Sequence, residues 1–441
     1  MRAASRRFSV LHNFNLTQKE QSQGEPSLLY PSPALHYSPM KITRRTLALL
    51  VLAAPIALFS LAESSRPRAS GHDYLALVGT YTTKTQSKGI YAFDFDAKTG
   101  KLTPKGLAAE TPDPSWVTIH PSGKFAYVVN EAGKQSMISA FALDAQSGKL
   151  TLLNELPSLG EDPCYLSLDK TGKFALVANY TSGTIAVFPI LSDGRLGEHT
   201  ALLQDTGNLG PNKERQEGPH AHWIELSAHN RFAYVADLGL DRVLIYKFDP
   251  AKGTLTREDA PSASMNIGSV KPNDAFSAAL SPGTGPRHVA FSRDGNFMYV
   301  LGEMQSTVTI FANDDAREFF RAIQQISALP PGFSGRNDAA EIVIHPNGKW
   351  LYTSNRGGDS IAVFAVEPKK GTLSFTGDFP TGGQEPRHFA IDPTGAYLLA
   401  ENQNSNTIVT FRLDPATGKL IPTGNVASVP SPVCLVFFPT Q

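Results

Sequence analysis

From residue 74 onward the chain repeats one pattern: a short apolar run, a turn holding Gly, and a second apolar run that ends on a polar residue. The pattern occupies residues 117–130, 166–179, 289–302, 342–355 and 389–402, with a divergent copy at 223–237. Short β-rich runs around a Gly turn predict antiparallel hairpins, because Gly takes the left-handed backbone that such turns need. Two further runs follow each hairpin, as at 138–143 and 184–188. A second turn, Asp/Glu-x-x-x-Gly-x-Leu, joins those runs and recurs at 96–102, 144–150, 249–255, 367–373 and 414–420. Four antiparallel strands make one blade, and equivalent positions from Pro114 to Pro432 recur about every 53 residues, slightly above common propeller repeats. The pattern therefore predicts an all-β, seven-bladed β-propeller over residues 73–441.

The two ends complete each other. Residues 74–79 match a second strand that lacks its first, and residues 432–438 match a first strand that lacks its second. Pairing them in one blade closes the ring and removes the exposed sheet edges that invite aggregation. The longest irregular stretches, 204–219 and 256–286, join one blade to the next and are expected to crown the face where inner strands begin. At the start of the inner strands, one slot reads Trp116, Tyr165, His222, His288, Glu341, His388 and Cys434. At the end of the second strands, another reads Glu131, Tyr180, Leu238, Glu303, Arg356 and Gln403. This places His222, Arg287, His288, Glu303, Arg356, Arg387 and His388 around one channel mouth. Glu303 and Arg356 break the pattern of their slot. His120, His229 and His345 fall in turns on the opposite face, and the recurring Asn130, Asn179, Asp237, Asn355 and Asn402 suit strand-end caps.

Composition changes the picture at the N-terminus and in what it excludes. Residues 1–39 are polar and lack an apolar period, as expected of a leader without a core. Lys41, Arg44 and Arg45 follow Met40 and precede an apolar run at 47–61, which reads as a secretory signal over 40–62 with a linker at 63–72. Residues 43–47 resemble a twin-arginine export signal. The apolar run is shorter than the roughly 20 residues that span a bilayer and contains Pro55. Export to the periplasm or beyond, without stable membrane insertion of the mature chain, is the expectation, with a cytoplasmic location if the signal is not used. The 40 Lys+Arg balance 40 Asp+Glu, so no broad field favours nucleic acid. Two cysteines, Cys164 and Cys434, exclude a disulfide scaffold and a cysteine zinc site. No Gly-x-Ser-x-Gly nucleophile motif occurs. The chain is expected to work as a monomer, with no cofactor and no metal.

Several segments together resemble a known family: residues 79–82, 218–222, 236–239 and 285–288, Glu303, and residues 354–356 and 385–388. They resemble the seven-bladed β-propeller lactonases of the bacterial 6-phosphogluconolactonase type, relatives of the fungal carboxymuconate lactonizing enzymes. The resemblance covers about residues 73–439; the export segment and the long stretch before Pro286 depart from it. It implies a catalytic set of His222 (or its neighbour His220), Arg287, Arg356 and Glu303, and a small-molecule lactone or anionic sugar acid as partner. His220, His288, Asn355, Arg387 and His388 are the expected substrate-binding residues. The chemistry suits these groups. An imidazole near neutral pKa can accept a proton from water, and guanidiniums can hold an anion and offset developing negative charge. A lactonizing lyase or cycloisomerase of muconate-like diacids would use the same groups. An exported propeller that binds a protein or glycan without catalysis is the third reading.

Overall fold

The computed structural model describes residues 74–257, 277–314 and 319–440. The leader, signal and linker expected at 1–39, 40–62 and 63–72 lie outside the described residues. Seven antiparallel sheets form the propeller. The inner strands of blades 1 to 6 are Pro114–Ile119, Pro163–Leu168, Ala221–Leu226, Pro286–Phe291, Asp338–Ile344 and Pro386–Ile391. Blade 7 takes its inner strand, Pro432–Pro439, from the C-terminus and its second, Tyr74–Thr80, from the N-terminal end of the described chain. This is the predicted closure.

Packing explains why the repeat is obeyed. Apolar clusters lie between neighbouring blades: Tyr127 and Val129 of blade 1 pack with Leu166 and Val177 of blade 2, and Tyr352 and Val363 of blade 5 with Phe389 and Leu398 of blade 6. Fully burying each such aliphatic or aromatic side chain contributes about 1.5–3 kcal/mol. The Gly of the second turn seals these joints. A Cβ on Gly194 of blade 2 would stand 2.3 Å from the ring of Phe125 in blade 1, and φ there is +87°. Only Gly satisfies both the close approach and the backbone sign.

One expectation is corrected. The stretch 256–286 does not simply join blades 3 and 4. Thr254–Arg257 and Ser277–Ala279 both pair with the third strand of blade 3, Arg242–Asp249, so the extra length enters within the outer strand of that blade. Residues 258–276 lie outside the described residues. The stretch 204–219 does reach the mouth, as described next.

Candidate active site

Each inner strand begins with a break in register that prepares the site. In blade 4, Pro286 pairs with Gly302 and His288 with Leu301, which leaves Arg287 as an extra residue between them. The same shift leaves Ser115, Cys164, His222, Arg387 and Val433 unpaired in their blades. A bulge of this kind bends the strand and re-aims side chains. It lets two consecutive residues, such as Arg287 and His288, both reach the small channel cavity they line. It also corrects the sequence alignment of blade 3. His222 is the bulge residue, equivalent to Arg287 and Arg387, and Trp223 holds the slot of Trp116, Tyr165, His288 and His388.

Glu303, just past the second strand of blade 4, is the hub. Its Oε2 lies 3.0 Å from Arg287 Nε and 3.1 Å from Arg356 Nη2, and its Oε1 lies 2.5 Å from Arg215 Nη2. The Arg287 contact is an ion pair whose Nε lies off hydrogen-bond alignment; Arg287 Nη1 donates instead to the carbonyl of Ala340. Burial alone would raise the pKa of Glu303, but Arg356, Arg287 and Arg215 hold it down to about 2. Burial and the neighbouring Arg387 and Arg356 push Arg287 the other way, to about 10. Arg387 lies over the ring of Tyr81 at 5.3 Å, whose hydroxyl donates to Glu131 at 2.8 Å. Burial opposes its charge, but Tyr81, Glu131 and Glu303 together hold Arg387 protonated. Four guanidiniums thus gather at one mouth, with Glu303, Asp338, Glu385 and Glu131 as acidic neighbours, and Arg287 is the one whose charge the arrangement disfavours.

The imidazoles lie beside this cluster. The rings of His222 and His288 are 5.2 Å apart. Burial first, then Arg287, keeps both well below the ordinary histidine pKa, so both are neutral at pH 7. His288 Nδ1 is 2.9 Å from Glu341 Oε2, and His388 Nδ1 is 2.6 Å from Glu401 Oε2. Trp116 and Tyr165 pack at 4.2 Å and set their edges against His288 and His388, which floors the channel. Between this floor and the bulge residues is a small cavity, with space for about one water, lined by Ser115, Arg287, His288, Glu341, Arg387 and His388 among others.

Two expected residues stand apart. Asn355 is buried with its amide donating to Ala328 O at 2.8 Å and its carbonyl accepting from Asn337, so it ties blade 5 to the end of blade 4. Asn130 and Asn179 do the same between other blades, in keeping with the cap reading. His220 stacks on Tyr180 at 4.7 Å, with Nδ1 3.0 Å from Tyr180 O and Nε2 3.3 Å from Glu217. Both of its ring nitrogens are engaged within the chain. His120 and His345 bond to Gly172 and Gly395 of the next blade, as turn residues should.

Two residues escaped the sequence reading. Arg215 arrives from the stretch 204–219; its only signal was a basic residue in the longest described crown loop. Glu401 stands one residue before the strand-end position, where the other blades carry Gly79, Val129, Ala178, Ala236, Leu301 and Ser354. That departure from the repeat was visible in the alignment.

Comparison with known proteins agrees with this architecture. The family described as "Lactonase, 7-bladed beta-propeller" matches residues 75–437. A Bacillus subtilis protein named 6-phosphogluconolactonase is 35% identical over 364 residues, spanning 82% of this chain and 98% of its own. A Formosa agariphila protein of the same name is 35% identical over 320 residues, 71% of this chain and 85% of its own. The solved structure of a Pseudomonas aeruginosa periplasmic gluconolactonase superposes with a TM-score of 0.75 at 32% identity, over 82% of this chain and 98% of that one. A closed ring of seven blades, an arginine-rich mouth and relatives matched along nearly their whole length lead to one assignment: the chain belongs to the seven-bladed β-propeller lactonase family.

Proposed function

We propose that the protein is a lactone hydrolase, a carboxylic ester hydrolase of the 6-phosphogluconolactonase-like kind, that opens the lactone of an anionic sugar acid at the mouth described above. The observation that carries this reading is the buried Arg287 guanidinium, set beside Glu303 and crowded by Arg387 and Arg356, with its pKa depressed to about 10. An incoming anion would favour the charged form of Arg287. Guanidinium forks suit a carboxylate or phosphate and can stabilise the oxyanion of a tetrahedral intermediate. Glu303, pinned as a carboxylate, orients them.

The step balances without an added group. Water loses a proton to a neutral imidazole of the His222 and His288 pair as its oxygen bonds the acyl carbon. The ring C–O bond then breaks, and the imidazolium returns the proton to the departing alkoxide. The relatives named for 6-phosphogluconolactone and gluconolactone support the substrate class, and the neighbour named as periplasmic supports an exported location, in line with residues 40–62 as a signal. The test is turnover of 6-phosphogluconolactone, glucono-lactone and a dicarboxylate-derived lactone. Hydrolysis of an anionic lactone is expected, with a fall in kcat/KM of about 10²- to 10³-fold in Arg287→Ala. Turnover of no lactone would sink the reading, and ring closure of a muconate-like diacid would replace it with the lactonizing one.

A further inference from the structure

Beside the arginines, the channel holds an array that the arginine chemistry leaves unused. Glu401 Oε2 is 2.6 Å from His388 Nδ1, His388 Nε2 is 3.6 Å from Glu341 Oε2, and that oxygen is 2.9 Å from His288 Nδ1. The 3.6 Å contact is electrostatic; the other two are hydrogen bonds. All four side chains are buried and come from blades 4, 5 and 6. Glu401 replaces a small or apolar residue found in every other blade, and a carboxyl group in such a place is costly unless it is bonded.

Proton placement orders the array. Burial first, then nearby Glu341, pushes Glu401 well above the ordinary carboxyl range, so it donates its proton to His388 Nδ1. The proton of His388 then sits on Nε2, towards Glu341. Glu341 accepts from the backbone N–H of Ile342 at 3.0 Å and lies 2.9 Å from His288 Nδ1; burial raises its pKa, but His388, Arg287 and that N–H favour the carboxylate, which then accepts from His288 Nδ1. His288 is left with its lone pair on Nε2, a buried atom with no hydrogen-bond partner among the described residues. His222 has no such orienting carboxylate among the described residues, where its buried Nδ1 finds no hydrogen-bond partner. His288 also lines the water-sized cavity together with Arg287 and Arg387.

We propose that Glu401, His388 and Glu341 are positioning residues that fix the tautomer of His288, and that His288, rather than His222, takes the proton of the attacking water. The assignment rests on the lactone-opening reading. His288 Nε2 takes one proton as the water oxygen bonds the acyl carbon, and returns it to the alkoxide as the ring C–O bond breaks. Glu341 stabilises the transient imidazolium, as a carboxylate does behind the base of a catalytic triad. No electron changes hands.

The experiment is long-range ¹H–¹⁵N NMR of the histidines in the full chain at pH 7, read beside kinetics. Wild-type His288 should carry its proton on Nδ1. Glu341→Gln should move it to Nε2 and lower kcat by about 10²- to 10⁴-fold with KM changed less than about threefold. Glu401→Val should lower kcat by about tenfold, and Glu401→Gln, whose amide donates in the same place, should restore it to within about threefold. His288→Asn should cost more than His222→Asn. A wild-type His288 protonated on Nε2 or on both nitrogens, or a larger loss in His222→Asn, would overturn the assignment while leaving the hydrolase intact. Turnover of no lactone would overturn the hydrolase reading itself, and the proton-acceptor role with it.

Discussion

Glu303 and Glu401 are both buried carboxyl groups near the end of a second strand, two blades apart, and they hold opposite charge states. Glu303 has three guanidiniums within ion-pair distance and is held at about 2. Glu401 has one imidazole and another carboxylate nearby, and burial drives it upward. Depth is the same in both places. What differs is the company, so charge at this mouth is set by which blades bring their arginines to it.

The largest effect that would break this comparison is on stability. Glu303→Gln leaves buried guanidiniums without their carboxylate and should cost about 3–5 kcal/mol, whereas Glu401→Gln exchanges one neutral donor for another and should cost less than about 1 kcal/mol. Urea unfolding of both variants measures this; equal losses would show that the two sites do not differ.

A smaller effect, of opposite sign at the two sites, lies in pH. The folded pKa of Glu303 lies below its ordinary 4.5, so its contribution is complete above about pH 4.5 and is lost as pH falls towards about 2. The folded pKa of Glu401 lies above 4.5, so its contribution is present below that value and is lost as pH rises. Melting curves should therefore show the wild-type advantage over Glu303→Gln shrinking in acid. Relative to Glu401→Gln, wild type should weaken as pH rises above about 4.5. Parallel curves would contradict the assignment of charge.

The smallest effect sharpens the comparison at its edge. Arg215 is a third exposed, so its pair with Glu303 is screened and should be worth about 1 kcal/mol. Arg215→Ala is expected to raise KM roughly fivefold and to change kcat by less than about twofold. A loss as large as that of Arg287→Ala would place Arg215 among the groups that act on the transition state.

Much of the site was legible because a repeat makes exceptions visible. Glu303 and Arg356 were picked out as departures from their slot, and His288, Glu341 and His388 were placed in one ring, where they do meet. His222 was placed one residue out of register, because a bulge is a matter of which backbone groups bond and leaves no mark in the apolar period. Asn355 is expected both as a strand-end cap and as a substrate residue, and its amide bonds across a blade joint; a recurring Asn looks the same in either role. Arg215 lay in a loop with no period to align, and Glu401 sat inside a strand that otherwise reads as core.

Seven repeats, their strand order and the shared last blade follow from the sequence alone, because alternating apolar runs and Gly turns are local instructions repeated along the chain. Which charges meet was decided only in three dimensions. Ring closure brings residues from blades 3 to 7 within a few ångströms, and the protonation state of a carboxyl or imidazole is set by burial and those neighbours, not by its place in the chain.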